Sequence, residues 1–241
     1  MTGTSGTASS PSALLLDLDG TLVNTPEANR AGIAAAAGEA LSRAGIPAAE
    51  WRAANAQAFT FVWATAEQAW LGGQASSEDV SAGVYQHTLL SVGADLSLVP
   101  HLVRAHQRAL SDALAAYDDV PSVLSAASAN GVRLAVITNG PSILQRHTLA
   151  ATGLAHRLDA IIIAAELGVS KPDKRIFDAA LAAIGTRPDR AWHVGDSLTH
   201  DVAGAQAAGI RAIWINRDRR PIPDGAPQPD QIINSFTELF P

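Results

Sequence analysis

The second half of the chain repeats one pattern: a short apolar, largely β-branched run, a polar or glycine-containing corner, then an Ala/Leu-rich stretch with helical spacing. "VRLAVITNG" (132–140) precedes "PSILQRHTLAATG", and "LDAIIIAAELG" (158–168) leads through "VSKPD" into "KRIFDAALAAIG". "RAWHVGDS" (190–197) leads into "LTHDVAGAQAAG", and "IRAIWIN" (210–216) closes the series. Strands alternating with helices of this length predict βαβ units and a parallel sheet. The runs are apolar at both alternate positions, as required when helices cover both faces of a sheet. "ALLLDLD" (13–19) belongs to the same series. The expected fold class is α/β, a doubly wound parallel sheet.

Residues 25–117 break this rhythm. They contain no strand-like run and are Ala-rich with helical spacing, as in "ANRAGIAAAAGEALSRAG" and "VPHLVRAHQRALSDALAA". They predict an inserted all-helical module, which leaves residues 13–24 and 118–241 as the α/β core. Residues 1–12, "MTGTSGTASSPS", are polar and read as a mobile tail.

Composition narrows the class of protein. With 241 residues the chain is long enough to bury a substantial core, and 47% hydrophobic with 17% charged residues is ordinary for a soluble globular protein. A formal charge of −6 argues against a nucleic-acid surface and fits a small-molecule enzyme or a neutral binding module. No cysteine is present for a disulfide or a thiolate metal site. The opening segment lacks the basic and apolar regions of a signal peptide, and no run approaches the ~18 apolar residues of a membrane span. The expectation is a cytoplasmic protein with no membrane partner; its oligomeric state stays open. The chain has two lysines, Lys171 and Lys174, so any chemistry needing an ammonium has two candidates.

The polar residues of interest share one position in the pattern. Asp17 and Asp19, Thr138 and Asn139, Lys171, and Asp196 each follow the carboxyl end of a predicted strand, the edge where open parallel sheets bind ligands. Three acids gathered there, with Asp201 nearby, would repel one another unless a hard divalent cation relieved them. Mg²⁺ prefers one or two carboxylates with waters and a phosphate oxygen. Thr138, Asn139 and Lys171 are donors suited to an anion, so acids and donors together describe a phosphate site.

"DLDGTL" (17–22), "ITNG" (137–140), "SKPD" (170–173) and "GDSLTHD" (195–201) resemble, in order, the four motifs of the haloacid dehalogenase-like (HAD) hydrolase superfamily. The resemblance implies a Rossmann-like core with a helical cap inserted after the first strand. It makes Asp17 the nucleophile that forms an aspartyl-phosphate, and Asp19 the acid and then base. Mg²⁺ would be held by the Asp17 carboxylate, the Asp19 backbone carbonyl and Asp196. Leu18, Asp19, Thr138, Asn139, Gly140 and Lys171 would surround the phosphoryl group. Ser197 and Asp201 would support the metal site from behind. Relatives that dehalogenate carry a non-acid at the position of Asp19, so this chain resembles the phosphatase branch. Those that cleave C–P bonds use a cap lysine, and residues 25–117 contain none. The implied substrate is a small phosphorylated metabolite, a sugar phosphate or nucleoside monophosphate.

Other functions compete. An intramolecular phosphomutase would use the same residues, and a phosphate-binding receiver module would combine acids, Thr and Lys without turnover. "GDSL" (195–198) also spells a serine esterase motif, but here it lies late in the chain, with no histidine after His200. Asn24 stands where many relatives carry a further acid. His193 and His200 are expected in structural or surface roles. Trp51, Trp63 and Trp70 are expected to pack a core rather than stack on substrate, and Arg30, Arg104 and Arg108 to lie on solvated helix faces.

Overall fold

The first strand shows how the two faces of the sheet are built. In β1 (Ala13–Leu16) all four residues are fully buried. Leu14 and Leu16 pack with Leu124, Leu134 and Val136, while Ala13 and Leu15 pack on the opposite side with Ile176, Phe177 and Ala180. Alternate residues of a strand point to opposite faces, so both faces must be covered, and each buried leucine contributes about 1.5–3 kcal/mol. This is a computed structural model that describes residues 10–240.

After β1 come four helices, α1 (Thr25–Ala44), α2 (Ala48–Leu71), α3 (Ser77–Ser91) and α4 (Val99–Ala113). The chain then runs α5 (Val120–Ala129), β2 (Arg133–Thr138), α6 (Ser142–Ala151), β3 (Ala160–Ile163), α7 (Ala164–Leu167), α8 (Lys174–Ile184) and β4 (Ala191–Gly195). A single π turn (Leu198–Val202) leads into α9 (Ala203–Ala207), followed by β5 (Arg211–Ile215) and β6 (Gln231–Ile233). Among the described residues the strands form one six-stranded sheet in the order β3-β2-β1-β4-β5-β6, with every pair parallel. The strand order reverses direction at β1, which puts the ligand-binding crevice of such a sheet at its carboxyl end.

The helical insert has a core of its own. Trp51, Tyr85, Leu89, Leu102 and Val103 are buried together, apart from both sheet-flanking cores. On α1 the buried positions are Ala28, Gly32, Ala36 and Ala40, one small residue per turn, which lets α4 approach closely. The return to the core is pinned by Asn24, whose Nδ2 donates to the Ala113 carbonyl at 3.0 Å and whose Oδ1 accepts the Ala115 N–H at 2.7 Å. A carboxylate at position 24 could not make the first of these bonds.

Several boundaries differ from expectation. β1 ends at Leu16, so Asp17 to Asp19 lie beyond the strand rather than within it. The run 158–168 is a four-residue strand followed by α7. Strand β6 was not anticipated, because three residues after a Pro-rich segment carry no readable alternation. Of the expected tail, residues 1–9 lie outside the described residues. Ser12, just before β1, is tied to the neighbouring segments, its N–H donating to the Arg190 carbonyl at 2.8 Å and its carbonyl accepting the Arg133 N–H at 2.9 Å. Among the described residues, no helix is long and apolar enough to cross a membrane.

Candidate active site

Because all six strands run parallel, the corners that follow β1, β2, β3 and β4 open at one end of the sheet. Asp17 continues the direction of β1, its N–H donating to the Val194 carbonyl at 2.9 Å. The chain then folds back on itself through Gly20 N–H to the Val23 carbonyl, 2.8 Å, which leaves Asp19 half-exposed above the sheet. Leu18 between them buries its side chain completely, so it can offer a ligand only its backbone.

Lys171, from the loop between α7 and α8, is 97% buried and brings its ammonium to Asp17 Oδ1 at 2.5 Å and Asp201 Oδ1 at 2.7 Å. Its backbone is held by a reciprocal pair with Asn139: the Lys171 N–H donates to Asn139 Oδ1 at 2.9 Å, and Asn139 Nδ2 donates to the Lys171 carbonyl at 3.1 Å. The Asn139 side chain, expected among the phosphate donors, is thus committed to positioning Lys171. Only its backbone remains for a ligand.

Asp201 reaches this cluster by folding back over the end of β4. A Cβ at Gly195 would meet Asp201 Cγ at 2.2 Å, so this corner requires glycine. Asp201 Oδ1 also accepts from His193 Nε2 at 3.0 Å, and Oδ2 accepts the Ser197 N–H at 3.0 Å. With both oxygens engaged, Asp201 serves as the counter-ion of Lys171. The Ser197 hydroxyl caps the π turn by accepting the His200 N–H. Asp196 is placed by its carbonyl, which accepts from Trp214 Nε1 at 2.8 Å.

Electrostatics follow from burial. Desolvation disfavours the Lys171 ammonium, but the Asp17 and Asp201 carboxylates outweigh it and raise its pKa. Asp201 is likewise opposed by burial, yet Lys171 and His193 hold it well below the usual carboxylate range. Burial pushes Asp17 well above that range; Asp201 and Asp196 add to the effect while Lys171 opposes it. Asp196 is pushed up to about 6, by burial first and then by Asp201. Burial lowers His193, which keeps it neutral beside Asp201.

Ligand atoms of Asp17, Asp196 and Asp201 lie within 4.8 Å of one another. Three carboxyl groups crowd one ammonium, an excess of acid that already raises Asp17 and Asp196, and Asp17 Oδ2 is buried with no hydrogen-bond partner. A hard divalent cation fits that orphaned oxygen and that excess, and the donors are the oxygens Mg²⁺ selects. Asp17 and Asp196 are the residues free to hold it.

Gln145 escaped the sequence reading. It is fully buried on α6, and its Nε2 lies 2.6 Å from Asp19 Oδ2, 2.7 Å from Thr138 Oγ1 and 2.7 Å from the Asn139 carbonyl. The other Asp19 oxygen accepts from Thr25 Oγ1 at 2.6 Å. The string "SILQRHTL" carried little signal, because the buried face of α6 is Gln145, Thr148 and Leu149 while Ile143 is exposed. His193 was expected to be structural or on the surface, and is a buried brace for Asp201. His200 is exposed. Of the three tryptophans, Trp51 packs the insert core as expected, whereas Trp63 and Trp70 line a cavity that opens beside Asp19. Arg30 pairs with Glu27 on the surface, and Arg104 and Arg108 line a separate depression.

The insert reaches the site directly. Gly140, at φ +113°, lies so close beneath Trp70 of α2 that a Cβ there would meet Trp70 Cη2 at 2.6 Å. Both the backbone angle and the overlying ring require glycine.

Comparison with known proteins places these features in context. A family model described as haloacid dehalogenase-like hydrolase matches residues 11–209. The phosphoserine phosphatase of Thermus thermophilus is 41% identical over 124 residues, 52% of this chain and 49% of that protein. The pyrimidine 5′-nucleotidase YjjG of Escherichia coli is 40% identical over 120 residues, 49% of this chain and 52% of that protein. The chain thus spans about half the length of the curated relatives it matches. The magnesium-bound HAD-hydrolase YfnB of Bacillus subtilis shares the fold over 95% of this chain and 96% of its own, with a TM-score of 0.70 and 24% identity.

Proposed function

The chain belongs to the haloacid dehalogenase-like hydrolase family, and on that premise we propose that it is a Mg²⁺-dependent phosphomonoesterase acting through an aspartyl-phosphate on Asp17. The observation that carries this is the division of labour at Asp17. One oxygen is tied to Lys171 at 2.5 Å, and the other is buried without a partner. Relatives named as a phosphatase and a nucleotidase support phosphomonoester hydrolysis. Residues 25–117 serve as a cap over the site, and the substrate is a small phosphorylated metabolite.

In the first step an Asp17 oxygen attacks phosphorus and the bond to the leaving oxygen breaks. That oxygen departs as an alcohol by taking a proton from Asp19, which the Thr25 and Gln145 side chains hold in place. An alkoxide needs this proton and a halide does not, so an acid at position 19 fits ester hydrolysis. Thr138 Oγ1 and the backbone N–H groups of Leu18, Asn139 and Gly140 would bind phosphoryl oxygens, with Lys171 balancing charge on the Asp17 side. In the second step Asp19 accepts a proton from water as that water attacks phosphorus, releasing phosphate and regenerating Asp17. When bound by Asp17 and Asp196, with the Asp19 carbonyl as a further ligand, Mg²⁺ supplies charge neutralisation that lets two anions approach.

The test is Asp17→Asn, assayed for phosphate release and for the rise in melting temperature on adding MgCl₂. Turnover should fall to background and the Mg²⁺-dependent rise should shrink. Turnover close to wild type would overturn the nucleophile assignment.

A further inference from the structure

Beside Asp19 lies a cavity of about 810 Å³ between the helical insert and the core. Among the described residues no lysine or arginine lines it. Asp19 at the mouth is the one carboxylate in the lining. His106 is held neutral by burial, its Nδ1 sharing a hydrogen bond of 2.5 Å with the Tyr85 hydroxyl. His147 is exposed at the rim.

One wall is aromatic. Phe59, Trp63 and Trp70 recur on one face of α2, with the Phe59 and Trp63 rings stacked 5.8 Å apart and the Trp63 and Trp70 rings 5.5 Å apart. Trp70 is also the ring lying over Gly140, so the aromatic row reaches from the cavity to the turn after β2. Ile33, Val80, Val84, Leu110 and Leu114 supply aliphatic contact. Asn55, Tyr85 and Gln107 add uncharged polar groups, and Gln107 Nε2 is buried without a hydrogen-bond partner.

Resting on the phosphomonoesterase assignment above, we propose that this cavity receives the alcohol portion of the substrate and selects esters of uncharged, ring-bearing alcohols over esters carrying a second anionic group. A carboxylate or second phosphate placed here would lose its water without gaining a cation, which costs several kcal/mol. A planar ring would instead stack on Trp63 and Trp70, an interaction worth about 1–3 kcal/mol for a base on an aromatic side chain. The volume falls within the range of small-molecule sites.

The test uses primary alkyl phosphates of matched leaving-group chemistry: ethyl phosphate, 2-(1-naphthyl)ethyl phosphate, 3-phosphonooxypropanoate and a nucleoside 5′-monophosphate. The naphthylethyl ester should exceed ethyl phosphate in kcat/KM by roughly ten- to a hundred-fold, the equivalent of one stacked ring. The carboxylate-bearing ester should not exceed ethyl phosphate. A nucleotide that matches the naphthyl ester identifies the ring as a base; a poor nucleotide identifies it as an apolar aryl group. Trp63→Ala should cut the naphthyl-to-ethyl ratio about ten-fold, and Leu110→Arg should move preference toward the carboxylate-bearing ester. Equal kcat/KM for all the esters, or a preference for the anionic one, overturns the proposal while leaving hydrolysis intact. Saturable quenching of tryptophan fluorescence by naphthylethyl phosphate without phosphate release supports the cavity assignment and overturns the hydrolase. Neither quenching nor release overturns both.

Discussion

Replacing Lys171 with methionine isolates the charge network at the base of the site. The side chain keeps its length, but the ammonium that contacts Asp17 at 2.5 Å and Asp201 at 2.7 Å is gone. Both carboxylates stay buried, at 8% and 2% side-chain exposure, and His193 beside Asp201 is held neutral and brings no charge in compensation. Removing one partner of a buried pair costs about 3–5 kcal/mol, because the remaining charge is stranded. That is a large part of a typical stability of 5–15 kcal/mol. For a chain of this length it corresponds to a fall in melting temperature of roughly 6–20 °C.

The assay is urea denaturation of both proteins in EDTA, so that no cation substitutes for the lost ammonium. The pH dependence has a definite sign. Asp201 is depressed below its unfolded value of 3.8, so the stability it draws from Lys171 is present above that pH and disappears as pH falls further. Lys171 is raised above its unfolded value of 10.5, so its share is complete below that pH. Burial already raises Asp17 against the pull of Lys171, so without the ammonium Asp17 takes up a proton more readily still. The gap between the two proteins should therefore be widest on the alkaline side of neutrality and narrow steadily as pH falls, closing last as Asp201 is protonated. In the double variant Lys171→Met/Asp201→Asn the loss should be smaller than the sum of the two single losses, by about 0.5–3 kcal/mol. A single-variant loss under about 1 kcal/mol, or strict additivity, would refute the stranded-charge argument.

Gln145→Leu removes the amide that positions Asp19, and kcat for alkyl phosphates should fall about 100-fold. The fall for p-nitrophenyl phosphate, whose leaving group needs little protonation, should be much smaller; equal losses would place Gln145 outside the proton transfer. His106 is held below its usual value of 6.5 by burial. The unfolded chain therefore takes up a proton below about pH 6.5 that the fold refuses, and stability is complete above that pH and declines beneath it. His106→Gln, which keeps an acceptor for Tyr85, should flatten the decline between pH 7.5 and 5.5 in urea midpoints. An unchanged slope would assign the acid sensitivity elsewhere.

The order of elements and the gathering of the candidate site residues at one edge were readable because both depend on local pattern. Apolar runs ending in polar corners declared the parallel sheet, and parallel strands necessarily send Asp17, Thr138, Lys171 and Asp196 to one edge. What stayed hidden depends on contacts across many residues of chain. Gln145 lies 126 residues from Asp19, and the role of Asn139 lies in its bond to a backbone 32 residues away. The expectation that Trp63 and Trp70 pack a core failed for the same reason. Side-chain type predicts burial, but only the approach of α2 to the sheet decides whether the space beside a ring is filled by protein or left open. Periodicity along the chain thus determined the fold class and the edge of the sheet at which the candidate residues gather. The partners of each charge, the brace behind the acid and the uncharged cavity arose when distant segments packed, since desolvation and hydrogen bonding act through space.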